Sequence, residues 1–220
     1  MPSVESSKRF LASYLDSLVM IKQAPNADML KGKSVVSYDQ GFTCNTKVSD
    51  GRQKNNVKWL PPEEGMAKLN TDGSFVSMNE AGEGMVLRDH TGTVICAAMR
   101  NLRYCNDATD AELAAIEDGI AWALNWTELG FTVETDCAEA IQLIRDDTPN
   151  TSIYAARVQV IREMMRERDV VVVKISREAN RASHELAKLG RVQDRTATWL
   201  RSFPLEIATV IHSDCNSINS

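Results

Sequence analysis

The stretch Met66-Ala67-Lys68-Leu69-Asn70-Thr71-Asp72-Gly73-Ser74-Phe75 decides the reading of this chain. Leu69 and Thr71 fall on one side of an alternation, and Lys68, Asn70 and Asp72 fall on the other. A period of two predicts a β-strand, here one with a polar face. Gly84 to Asp89 and Thr93 to Arg100 read as two further strands, joined by the turn sequence Asp89-His90-Thr91-Gly92.

A long helix is expected over about 110–127, because Leu113, Ile116, Ile120 and Leu124 recur at helical spacing among alanines, and Gly130 stops it. Phe131 to Asp136 reads as a fourth strand, with helices over about 137–145 and 151–167 after it. Val170 to Ile175 is a continuous β-branched run, which predicts a strand buried on both faces. A last helix is expected over about 180–190. The order β-β-β-α-β-α-α-β-α implies an α/β domain with a mixed five-stranded sheet and helices on both faces. The first three strands would be antiparallel and the last two parallel to the first.

Working outward, residues 1–60 are expected to be an N-terminal extension and linker. One amphipathic stretch, with Phe10, Leu11, Tyr14, Leu15, Leu18 and Val19, could form a helix there. The polar segment after it ends in Trp59-Leu60-Pro61-Pro62, an extended lead into a domain over 66–200, and 201–220 reads as a C-terminal tail. Five cysteines without a C-x-x-C pair predict reduced thiols. No apolar run has the ~18–20 residues of a membrane span, and no signal-peptide pattern opens the chain. An intracellular protein, nuclear or cytoplasmic, with no membrane partner and monomeric, is the expectation.

The net charge of −5 excludes a simple basic coat for nucleic acid. That average hides a segregation. Residues 105–150 hold eleven acids and one base, whereas residues 157–195 hold ten bases and six acids. The arginines 157, 162, 166 and 168 could form a phosphate track or a solvated face paired with Glu163 and Glu167.

Three of the acids stand where such a sheet would gather them: Asp72 on the first strand, Glu112 in the first turn of the long helix, and Asp136 at the end of the fourth strand. Converging hard oxygen ligands suit Mg²⁺ or Mn²⁺. Two such ions would activate a water and stabilise the leaving oxygen of a phosphodiester. Each acid also has a structural alternative. Thr109-Asp110-Ala111-Glu112 is a capping box, Asp72-Gly73-Ser74 is a turn sequence, and Asp136 is a possible helix N-cap.

Lys68 to Ser74 resembles the first strand of the type 1 ribonuclease H family. Ala111-Glu112-Leu113-Ala114-Ala115-Ile116 is similar to its first helix and Val133-Glu134-Thr135-Asp136 to its fourth strand. Arg177 to Ala187 resembles its last loop and helix. With the segment Trp59 to Gly65 in front, the chain looks most like the plant ribonuclease H-like, reverse-transcriptase-associated domain, over about residues 57–200. The resemblance implies a ribonuclease H-like fold and metal-dependent hydrolysis of the RNA strand of RNA–DNA hybrids. It implies two Mg²⁺ or Mn²⁺ ions on Asp72, Glu112 and Asp136, with His184 as a fourth catalytic residue. It implies contacts to a hybrid, or to other nucleic acid, at Gly73, Ser74, Thr109, Arg177 and Asn180. The chain departs from the pattern in three places. His184 stands where the family has a fourth acid. Ser176-Arg177-Glu178-Ala179 replaces a His-containing glycine loop. Ala108-Thr109 replaces a pair of asparagines. These departures give the alternative expectation, a catalytically weak or inactive module that binds nucleic acid or protein.

Overall fold

The computed structural model describes residues 58–146, 148 and 151–215. The amphipathic stretch around Phe10 to Val19 lies outside the described residues.

The strands are β1 (Met66–Ser77), β2 (Glu80–Asp89), β3 (Val94–Leu102), β4 (Gly130–Thr135), β5 (Val171–Lys174) and β6 (Ala197–Leu200). They form one sheet in the order β5-β4-β1-β2-β3-β6. β1, β2 and β3 pair antiparallel, while β4 is parallel to both β1 and β5. The mixed α/β sheet is the expected one with an addition: it has six strands rather than five. β6 pairs antiparallel with β3, from Cys96↔Leu200 to Met99↔Ala197. It is only four residues long, half-exposed and at an edge, so it leaves little periodicity to read.

The helices are α1 (Ala108–Trp126), α2 (Ala138–Arg145), α3 (Ala155–Glu167), α4 (Arg181–Val192) and α5 (Ala208–Cys215). Alternation along β2 divides the core between the two sheet faces. Met85 and Leu87 join Leu69, Leu113, Ile116 and Ile120 on the α1 side. Val86 joins Met99, Leu186, Ile207 and Ile211 on the α4 side. The second cluster corrects the expected tail. Ile207, Val210 and Ile211 are buried, so residues 205–215 are a packed part of the domain. Burying such apolar side chains contributes about 1.5–3 kcal/mol each.

The Val170 to Ile175 run is also corrected. Val172 is buried but Val171 is 52% exposed, because β5 is an edge strand with one covered face. Its β-branched residues satisfy strand propensity without full burial.

Candidate metal and nucleic-acid site

The parallel pairing of β1 with β4 stops at Asn70↔Glu134, and β4 itself ends at Thr135. Asp72 and Asp136 therefore lie the same two residues past the last paired position. Beyond that point β1 has no neighbour on the β4 side, and a notch opens where open α/β sheets place ligands.

Glu112 reaches this notch because α1 lies close against β1. At Gly73 an added Cβ would sit 2.4 Å from the Glu112 backbone nitrogen and 2.5 Å from the Ala111 carbonyl carbon. Only the absence of a side chain permits that approach. Asp107 caps α1, its side chain accepting from the Asp110 N–H, so Glu112 is not needed for capping. Cys137, not Asp136, is the N-cap of α2. Asp72 lies inside β1 rather than in a turn. All three structural alternatives read from the sequence are thus taken by other residues or absent, and the three carboxylates are left over. They offer oxygens that all lie within 4.8 Å of one another.

Burial shows in the acidities of Glu112 and Asp72. Burial pushes the Glu112 carboxyl up to about 9, helped by Asp72 and Asp136, against hydrogen bonds from the Gly73 N–H and the Thr135 hydroxyl. Burial also raises Asp72, opposed by the neighbouring His184. Burial disfavours the charged carboxylates, and a divalent cation among these hard oxygen donors would offset that cost. The residues present fit such an ion.

Two basic side chains border the cluster. His184 Nδ1 lies 3.2 Å from Asp72 Oδ2, and this contact raises the imidazole pKa above its ordinary value. Arg177 Nε donates to Asp136 Oδ2 at 3.0 Å. His184 is carried by α4, which packs onto β2 at Gly84, where a Cβ would lie 2.2 Å from the Ser183 carbonyl oxygen.

Three of the residues expected to meet nucleic acid, Ser74, Thr109 and Asn180, are engaged within the protein. Ser74 Oγ accepts from Arg191 Nε at 2.9 Å, and Thr109 Oγ1 donates to Glu139 Oε2 at 2.9 Å. Asn180 is a correction. It is buried, donating to the Thr71 carbonyl at 2.9 Å and accepting from Ser183 Oγ, so it fixes α4 to β1. The arginines 157, 162 and 168 are likewise committed. Arg157 pairs with Asp110 and Glu117. Arg162 donates to the Leu143 and Ile144 carbonyls at the end of α2, and Arg168 to the Leu124 and Thr127 carbonyls at the end of α1. They satisfy carbonyls that a helix end leaves without partners. Of that proposed track, Arg166 remains exposed.

One buried network escaped the sequence reading. Arg88 pairs with Asp214 at 2.8 Å, donates to Asn70 Oδ1 and stacks 3.5 Å from the Trp59 ring centre. Asn70 and Trp59 both donate to Glu134. A charged residue inside an apolar strand was its only signal.

Residues 70–190, more than half of the chain, match the model of the family described as reverse transcriptase-like. No curated protein sequence matches the chain. Among solved structures, ribonuclease H1 from the halophilic archaeon Halobacterium salinarum NRC-1 aligns with a TM-score of 0.54 at 15% identity, over 59% of this chain and 99% of that one. LC11-RNase H1, isolated from compost, aligns with a TM-score of 0.54 at 18% identity, over 59% and 98%. The foamy viral protease-reverse transcriptase in complex with RNA/DNA hybrid aligns at 0.53 and 20% identity, over 71% and 24%. At such identities the likeness speaks for the fold. The chain belongs to the reverse transcriptase-like family, and its domain has the ribonuclease H fold.

Proposed function

We propose that this protein hydrolyses the RNA strand of RNA–DNA hybrids, using divalent cations held by Asp72, Glu112 and Asp136. The convergence of three carboxylates within 4.8 Å, at the end of the β1–β4 pairing, carries the proposal. Mg²⁺ or Mn²⁺ bound there would acidify a water and offset charge on the scissile phosphate. Asp72 and Asp136 orient the ligand oxygens from adjacent strands, and Glu112 closes the set from α1. His184, held on Asp72 and 58% exposed, keeps its proton to higher pH than a free imidazole. It would protonate the leaving oxygen.

His184 also motivates the second reading, a module that binds nucleic acid with little catalysis. Imidazole brings no negative charge to a site already bordered by Arg177, so a second ion would be weakly held. A cleavage assay on a labelled hybrid in Mg²⁺ and in Mn²⁺ separates the two. Cleavage lost in Asp72→Asn supports the enzyme. Binding without cleavage in either metal supports the module.

A further inference from the structure

A cleft lies along β1 from the carboxylates. The side chain of Arg191 connects them: it reaches Ser74, two residues beyond Asp72, and it lines the cleft, which measures about 630 Å³. The other walls are Asn79 in the β1–β2 turn, Asn101, Arg103 and Tyr104 at the end of β3, and Val192 at the end of α4.

Tyr104 is 78% exposed and has a left-handed backbone, with φ of 62°. A bulky residue rarely adopts that conformation. It is fixed by its neighbours, because Leu102 and Cys105 are buried and the Cys105 N–H donates to the Met78 carbonyl at 3.1 Å. The ring is therefore held in solvent beside the cleft instead of packing against the domain. Strain of this kind collects at functional sites. Val192 adds an apolar surface that is 63% exposed.

The polar groups suit a nucleotide. Among the described residues, Arg103 has no ion pair. The acid Glu80 in the wall is neutralised by Arg191 at 2.8 Å. Asp194, also at the cleft, can accept from an exocyclic amine. An exposed aromatic face next to a guanidinium and two carboxamides matches how proteins hold single-stranded bases by stacking, with a phosphate on arginine.

We infer that this cleft binds an unpaired nucleotide of the nucleic acid, with its base stacked on Tyr104. This rests on the hybrid-cleaving reading of the carboxylate site. Five residue steps along β1 lead from Asp72 to Ser77 at its end, a distance of ~17 Å. For a duplex lying along β1, that span corresponds to about five base pairs at 3.4 Å each. The substrate favoured would be a hybrid that ends, or is interrupted, about that far from the cut.

The test compares the full chain binding a blunt hybrid with binding the same hybrid carrying a short single-stranded extension, by fluorescence anisotropy without divalent metal. The extension should tighten binding roughly tenfold, as one base stacked on an aromatic ring implies. Tyr104→Ala should abolish that gain, and Tyr104→Phe should keep it. Both variants should bind and cut the blunt hybrid like the wild type. No gain from the extension, or an equal gain in Tyr104→Ala, overturns the cleft while leaving hybrid cleavage standing. Failure of the wild type to bind any hybrid overturns both readings.

Discussion

Arg177 Nε lies 3.0 Å from Asp136 Oδ2, while 90% of the Arg177 side chain stays in solvent. The guanidinium can therefore swing away without leaving a buried void, and a cation at Asp136 competes with it. An exposed pair of this kind is worth up to about 1 kcal/mol. Arg177→Gln should tighten Mn²⁺ binding by up to about fivefold in a calorimetric titration without nucleic acid. An unchanged affinity would show that Asp136 serves both partners at once.

Glu112 predicts a proton released on metal binding. Its carboxyl is raised to about 9 by burial and by Asp72 and Asp136, so the metal-free site keeps a proton at neutral pH. A ligating carboxylate must lose it. The apparent metal affinity should rise with pH between about 5 and 9, and titrations in buffers of different ionisation enthalpy should count close to one proton at pH 7.5. Glu112→Gln should remove most of that release. The same shift means that the metal-free protein loses stability as pH rises from the ordinary value of 4.5 through 9.

Gly73 tests how tightly α1 must sit. A methyl group there meets the Ala111 and Glu112 backbone at 2.4–2.5 Å, which no rotamer change relieves. Gly73→Ala should cost about 3 kcal/mol or more by overpacking. Where the variant still folds, it should bind metal weakly, because Glu112 moves with the helix turn. A thermal melt and a Mn²⁺ titration measure the two effects.

Long periodic elements were legible in the sequence because their packing repeats. The alternation in β1 and the helical spacing of Leu113, Ile116 and Ile120 each predict a face that the structure buries. Elements held by one or two contacts were not. β6 has four residues with alternate ones exposed, and α5 owes its place to Val210, Ile211 and an ion pair with a residue 126 positions away. In the site, residue types and order pointed to Asp72, Glu112 and Asp136. What Asn180, Ser74 and Arg162 do depends on partners that no local spacing encodes.

The Arg88–Asp214 pair shows that the domain extends past residue 200. Arg88 has no exposed surface, and Asp214 is its charge partner at 2.8 Å. Asp214→Ala would strand a buried guanidinium and should cost about 3–5 kcal/mol. The double change Arg88→Met, Asp214→Leu should recover much of that loss, because neither charge is then unpaired. Urea unfolding of the three proteins measures this. Equal stability of Asp214→Ala and the wild type would return residues 205–215 to the status of a tail.

Glu83 gives a stability change of opposite sign. It lies on β2 with no exposed surface, and neither carboxyl oxygen has a hydrogen-bond partner. Burial raises its pKa well above 4.5, and the nearby Asp118 raises it further. Arg100, 3.6 Å away, opposes that rise, but its closer ion pair is with Asp118. The folded state thus holds a proton that the unfolded chain releases above pH 4.5. Stability from this group is complete below that pH and declines as pH rises toward the folded-state pKa. Glu83→Gln keeps the shape and removes the titration. It should be close to neutral at pH 4.5 and should become progressively more stable than the wild type as pH rises above that value. Urea midpoints across that range give the result directly, and a variant less stable than the wild type at pH 8 would mean that Glu83 is ionised against Arg100.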